Sequence, residues 1–184
     1  MQFSELVRIR QSVRAYQDKT IETEKLNLML EALRLAPSAS NGQPWKVIVV
    51  DEPELKNKVA QATFSNTIPL NKFSLTAPII IVLTIEKMRL ITQVSAWLKK
   101  REFSLVDIGI AAEHLCLQAA ELGLGSCIIG WFDENKIKEL LHIPKNKRVG
   151  LLITLGYPAE GYELRQKKRK DFQKIIQFNL YKED

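Results

Sequence analysis

Three hydrophobic patterns organise the chain. Over residues 24–35, apolar Leu26, Met29, Leu30 and Leu33 recur at helical spacing, which predicts an amphipathic helix. Trp45-Lys46-Val47-Ile48-Val49-Val50 is a β-branched run with the pattern of a buried strand. Ala77-Pro78-Ile79-Ile80-Ile81-Val82-Leu83-Thr84 predicts a strand covered on both faces, and residues 149–155 a last core strand. Residues 126–130 read as a short strand or turn. The third pattern begins at Ser104 and is apolar almost all round, from Leu105 through Ile108, Ala111, Leu115 and Ala119 to Leu122. Such a helix belongs at the centre of a core or an interface.

Punctuation residues set the expected boundaries. Ser104 reads as the cap of the long helix, and Gly123 and Gly125 as its end. Pro53 opens a helix reaching Ala62, and Asp133 caps one reaching His142. A first helix is expected over 4–10, a turn at Asp18-Lys19-Thr20, and irregular chain over 64–76, where Asn66, Pro69 and Asn71 interrupt. Residues 86–103 fit a helix only loosely, through Met88, Leu90, Ile91, Val94, Trp97 and Leu98. Nothing repeats and no linker divides the 184 residues, so a single domain over 1–184 is expected.

Composition narrows the function classes. Residues 1–5 lack the basic start and apolar run of a secretory leader. The best candidate for a bilayer span, residues 77–85, has only strand length, so no span is expected. Two cysteines, Cys116 and Cys127, are too few for a disulfide framework; both sit among apolar neighbours and read as buried thiols of a cytoplasmic protein. The net charge of +6 is concentrated. Arg165, Lys167, Lys168, Arg169, Lys170 and Lys174 are opposed between 165 and 174 only by Asp171. The cluster has two readings, a solvated face or a phosphate site.

Residues 36–45, Ala-Pro-Ser-Ala-Ser-Asn-Gly-Gln-Pro-Trp, join a helix to a strand. Pro37 and Pro44 stiffen the connection, Gly42 allows a tight turn, and Ser38, Ser40, Asn41 and Gln43 offer groups that both donate and accept hydrogen bonds. A well-capped turn and a cradle for a planar, heteroatom-rich ligand both satisfy this pattern. Arg10, Ser12 and Arg14 form a second constellation, suited to an anionic oxygen cluster. Conventional catalytic signatures are absent: there is no G-x-S-x-G elbow, P-loop, HExxH or complete dinucleotide fingerprint. His114 reads as a satisfied structural histidine, and His142 as a helix-end residue. No metal-ligand set is visible. Enzymatic chemistry in this chain would therefore come from a cofactor.

These motifs together resemble the flavin-dependent nitroreductase family. The resemblance rests on Arg10-Gln11-Ser12-Val13-Arg14-Ala15-Tyr16, on residues 36–45, on Asp107-Ile108-Gly109, on Gly123-Leu124-Gly125-Ser126-Cys127-Ile128-Ile129-Gly130-Trp131 and on Lys167-Lys168-Arg169. They occur in family order and span most of the chain. The resemblance implies an α+β nitroreductase-like fold, a central, mostly antiparallel sheet wrapped by helices, in an intertwined homodimer with FMN at the subunit interface. It implies that Arg10 and Ser12 hold the FMN phosphate while Lys167 and Arg169 close on it, with Gln11 also among the cofactor-binding residues. Arg14 would lie at the pyrimidine edge, where a cation stabilises the charge of reduced flavin. Pro37, Ser38, Ala39, Ser40, Asn41 and Gln43 would contact the flavin held chiefly by the partner subunit, and Cys127, Ile128, Ile129 and Gly130 would line one face. The tail beyond Ile175 would wrap the neighbour.

The implied activity is ping-pong transfer of reducing equivalents from NADH or NADPH, through FMN, to nitroaromatics, quinones or similar small acceptors. No residue is assigned acid or base work. Trp97, Phe103 and Trp131 read as core aromatics, with a roof over the flavin as the alternative. Two other functions remain open at this point. One is a flavin protein of the same fold with another role, a reductive dehalogenase or a non-catalytic flavin carrier. The other is a basic nucleic-acid-binding module, resting on the tail cluster alone. No motif chooses between NADH and NADPH.

Overall fold

A computed structural model describes residues 1–86 and 102–183. The loose helical pattern at 86–103 falls almost wholly outside them. Strands β1 (Trp45–Val50), β2 (Ile79–Ile85), β3 (Gly125–Ile129) and β4 (Arg148–Gly156) form one antiparallel sheet in the order β1-β2-β4-β3. Trp45 lies opposite Ile85, Ile79 opposite Leu155, and Gly125 opposite Gly156. Among the described residues the α-helices are α1 (Phe3–Ile9), α2 (Thr23–Arg34), α3 (Pro53–Gln61), α4 (Phe103–Glu121), α5 (Glu134–Leu140) and the short α6 (Phe172–Ile175). The expected antiparallel sheet wrapped by helices is what the chain forms.

The alternation of side chains along β2 builds two cores at once. Ile79, Ile81 and Leu83 pack with Ile153 and Leu155 against α2 and α4. Ile80 and Val82 pack with Leu152 against Val59 and Ala60 of α3 and Ile137 of α5. β2 is therefore buried on both faces, as its unbroken apolar run predicts. β1 departs from expectation: apart from Val50 it is only half-buried or exposed, because among the described residues it is the outer strand, paired only with β2.

Helix α4 buries Asp107, Ile108, Ala111, Ala112, Leu115, Cys116 and Ala119 along one stripe. In its first turn Leu105 and Val106 are exposed. Its start corrects the expected cap: Glu102 occupies the cap position without a side-chain hydrogen bond, and Ser104 lies inside the first turn. At its end Gly123 adopts φ +76°, the left-handed conformation that closes a helix, whereas Gly125 already opens β3. The 19 residues of α4 are long and apolar enough to cross a bilayer by length and composition, correcting the expectation that no segment is. The helix instead packs against α2 and the sheet as a core element.

Other boundaries follow their local chemistry. Glu52 accepts hydrogen bonds from the Glu54 and Leu55 amides ahead of Pro53. Asp133 caps α5 through the Lys136 amide at 3.0 Å. That helix ends at Leu140, and His142 lies beyond it in a left-handed turn, φ 52°. Within 64–76, residues Lys72–Thr76 form a 3-10 turn.

The free edge of β3 is covered by the segment after α1. Ser12 bridges Ser126 in parallel, and the Val13 amide donates to the Ser126 carbonyl at 2.9 Å. Tyr16 fixes the far end of this segment: its hydroxyl donates to the Val13 carbonyl at 2.9 Å and bonds the Thr154 hydroxyl at 2.7 Å. The approach requires glycine at 125, since a Cβ there would lie 2.7 Å from Val13 Cβ. Gly125→Ala should destabilise the fold by about 1–3 kcal/mol, read as a lower melting temperature. Adding Val13→Gly, which removes that Cβ as well as the branched methyls, should recover part of the loss in a double-mutant cycle; no recovery would place the clash elsewhere.

Candidate functional site

Covering β3 with residues 10–16 brings two distant parts of the chain together. Gln11 clamps the C-terminal segment: its Nε2 donates to the Glu163 carbonyl at 3.2 Å, and its Oε1 accepts from the Arg165 amide at 3.1 Å. The Arg165 guanidinium donates to the Ser12 carbonyl, and the Lys167 ammonium to the Arg10 carbonyl. Tyr162 accepts the Arg14 amide at 3.0 Å. These bonds arrange Arg10, Gln11, Ser12, Arg14, Arg165, Lys167, Lys168 and Arg169 around an open concavity of about 320 Å³.

The concavity is strongly positive. Six cationic side chains line it, while the nearest carboxylate, Glu113 on α4, stands with its Oε1 3.1 Å from Arg10 Nε. That nitrogen is buried and makes no directed hydrogen bond. The Lys167 ammonium is held below its ordinary range, by burial first and then by repulsion from Arg10 and Arg169. Packed cations of this kind lower their free energy by taking up an oxyanion, and guanidinium groups fit one with paired donors.

Residues 38–43 form a second structure, held under backbone strain. Ser40, Asn41 and Gln43 all have positive φ, at 52°, 51° and 46°. Local bonds enforce it: Ser38 Oγ accepts the Gln43 amide at 2.9 Å, and Gln43 Nε2 donates to Asn41 Oδ1 at 3.0 Å. From below, the Ala39 amide donates to Oδ1 of Asp107 at 3.0 Å. Asp107 is 3% exposed and its other oxygen, Oδ2, has no partner among the described residues. The result is a rigid hairpin of chain that presents Ser40, Asn41 and Gln43 outward.

The predicted site residues thus fall into three groups. Arg10, Gln11, Ser12, Arg14, Lys167 and Arg169 converge on one concavity. Pro37, Ser38, Ala39, Ser40, Asn41 and Gln43 belong to the strained loop, and none of them lines that concavity. On β3, Cys127 and Ile129 are buried, while Ile128 is 42% exposed and Gly130 is exposed. Burial pushes the Cys127 thiol up, partly offset by Arg14, and pushes Cys116 up to about 12, so neither behaves as a thiolate nucleophile. His114 Nδ1 lies 2.9 Å from the Ile110 carbonyl, the satisfied structural role expected of it. Trp131 corrects the core reading: it is 58% exposed, beside Phe64 and Phe132 on a concavity of about 630 Å³. Sequence reasoning missed Tyr162, Arg165, Glu113 and Asp107. Only the Asp107-Ile108-Gly109 motif and the basic tail carried any signal for them.

Known proteins share this arrangement of chain. A family model described as "Nitroreductase family" matches residues 7–157. A protein of Archaeoglobus fulgidus, provisionally named NADH dehydrogenase/NAD(P)H nitroreductase, is 32% identical over 160 residues, 84% of each chain. An iodotyrosine deiodinase of Haliscomenobacter hydrossis is 27% identical over 183 residues, 88% of this chain and 82% of its own. The solved structure of an FMN-dependent nitroreductase from Clostridium difficile R20291 superposes with a TM-score of 0.77 at 31% identity, covering 96% of this chain and 98% of that one.

Asp107 tests how the loop is held. Asp107→Ala removes the acceptor of the Ala39 amide and should cost about 1–3 kcal/mol. Asp107→Asn keeps an acceptor and should cost less. Thermal unfolding of the two variants checks the order, and equal losses would show that the loop does not depend on this bond.

Proposed function

The chain belongs to the nitroreductase family, and we propose that it is a cytoplasmic, homodimeric FMN oxidoreductase that passes reducing equivalents from NAD(P)H to small acceptors such as nitroaromatics or quinones. The observation that carries the reading is the basic concavity formed by residues 10–14 and 165–169. Its cations and hydroxyl fit the phosphate monoester of FMN, which carries close to two negative charges at neutral pH. Arg10, Ser12, Lys167 and Arg169 would hold that phosphate, with Gln11 bracing the wall behind them. Arg14, exposed and 6.0 Å over the Phe73 ring, is available to the flavin's pyrimidine edge. The exposed backbone at Ile128 and Gly130 would line one face of the ring.

When bound, FMN supplies the hydride chemistry, so reductant and acceptor take turns at one site. The chain itself fixes orientation and charge. Arg14 would set a positive charge at the pyrimidine edge, where it would stabilise the negative charge that reduction adds. Nothing in this half of the work requires a titrating side chain.

The dimer reading is supported by surface that one chain leaves uncovered. Leu105 and Val106 are exposed on α4, and a Cβ at Gly109 would meet nothing within 4 Å. Glycine within a helix costs about 1 kcal/mol relative to alanine, and close approach of a second chain would justify it. An apolar groove of about 540 Å³ runs between α1, α2 and α4, past Phe3, Leu6, Ile110 and Leu117. Ile175, Phe178, Leu180 and Tyr181 of the tail are exposed and would cover a neighbour. In such a dimer the strained loop at 38–43 would serve the flavin held by the other subunit. The deiodinase relative favours one second reading, reductive dehalogenation at the same flavin site.

Purified protein should be yellow, release FMN on denaturation, and bleach anaerobically with NADH or NADPH. A colourless protein that does not take up added FMN would refute the cofactor assignment; bleaching followed by reoxidation with an iodinated phenol but not with nitroaromatics would favour dehalogenation. Arg10→Ala should raise the FMN dissociation constant roughly ten- to hundredfold with an unchanged circular dichroism spectrum. Unaltered affinity would mean that the phosphate is held elsewhere.

A further inference from the structure

The concavity holds more positive charge than one phosphate monoester needs. Six cationic side chains line it and a single carboxylate, Glu113, stands close. An FMN phosphate contributes about two negative charges, so roughly three positive charges stay uncompensated. Of the lining cations Lys168 is on the outer side of the concavity, and Lys170, two residues on, adds a further exposed charge beside it without lining it. Lys167 turns inward to the Arg10 carbonyl, and Arg169 donates to the Lys168 carbonyl at 2.8 Å. Lys168 and Lys170 are exposed, and neither ammonium has a hydrogen-bond acceptor among the described residues. The neighbouring acid, Asp171, lies 3.8 Å from Lys174.

We infer that the exposed lysines at 168 and 170 recognise the 2′-phosphate of NADPH and make the enzyme prefer NADPH to NADH. The inference rests on the FMN reading above and adds its choice of reductant. The two reductants differ by one phosphate monoester, the group that exposed, uncompensated cations beside the flavin phosphate can distinguish. Their shared pyrophosphate gives no discrimination. A nucleic-acid strand is the poorer fit to the same charges. The run carries one aromatic, Phe172, and lacks the series of stacking faces that single strands use. The concavity is also closed along one side by residues 10–14.

The test is anaerobic reduction of the FMN-loaded protein, comparing NADPH with NADH at several salt concentrations. The expected kcat/KM ratio favours NADPH by about tenfold or more at low salt and shrinks as salt screens the exposed charges. In a Lys168→Gln, Lys170→Gln double variant the ratio should fall towards one. Equal rates with both reductants in the unaltered enzyme, or a variant that slows both equally, would overturn the inference while leaving the FMN reading intact. Salt-sensitive capture of a single-stranded oligonucleotide that displaces NADPH, without any NADPH preference in turnover, would assign the lysines to nucleic acid and overturn it too. Failure of either nucleotide to reduce bound FMN would refute the parent reading, and this one with it.

Discussion

A single buried helix carries the two contacts on which both halves of the site depend. Near its start, Asp107 of α4 accepts the amide of Ala39 and holds the strained loop from beneath. A turn and a half further on, Glu113 faces Arg10 and anchors the segment that edges β3. Both carboxylates sit on a helix whose apolar stripe is locked into the sheet by Ile108, Ala111, Ala112, Leu115 and Ala119. Carboxylates on a rigid element can fix neighbours that have little core of their own. α1 buries no residue completely, and the loop at 38–43 is pinned chiefly by hydrogen bonds.

The distribution of charge follows from this scaffold. Residues 10–14 are held against β3 by the Ser12–Ser126 bridge and the tight approach of Val13 to Gly125. The C-terminal segment is then drawn in by backbone carbonyls, which accept from Lys167 and Arg165. Cations therefore crowd one concavity although like charges repel. Burial first, and then that repulsion from Arg10 and Arg169, hold the Lys167 ammonium below its ordinary range. Such crowding is costly in an empty site and favourable once an anion arrives, as an anion-binding role requires. Strain at Ser40, Asn41 and Gln43 has the same character: it holds donors outward in a conformation that a relaxed loop would not keep.

Much of the fold was legible in the chain itself. The unbroken apolar run of β2, the helical spacing of α2, Pro53 at the first position of α3 and the cap at Asp133 each specify local structure through contacts a few residues long. Misreadings came where the deciding neighbour is remote. β1 looks like a buried strand by composition, but its place at the sheet edge, which no local pattern encodes, leaves it half-covered. Trp131 was read as core by residue type; its position at the end of β3 leaves it facing a surface concavity. The cap at Ser104 failed because the helix begins one residue earlier than the best local capping residue.

For the site, residue types and their order along the chain determined the candidate chemistry: arginines and a serine at 10–14, a stiff polar loop at 36–45, and a basic tail. Their assembly was decided by tertiary structure alone. Gln11 and Arg165 are separated by more than 150 positions, and no periodicity could announce that one clamps the other. The division of the predicted residues into a concavity and a separate loop is likewise a property of packing. A sequence states which groups are available within a turn or a strand. Which of them share a few ångströms is set by burial of the β2 and α4 stripes, because that burial fixes where every polar edge must emerge.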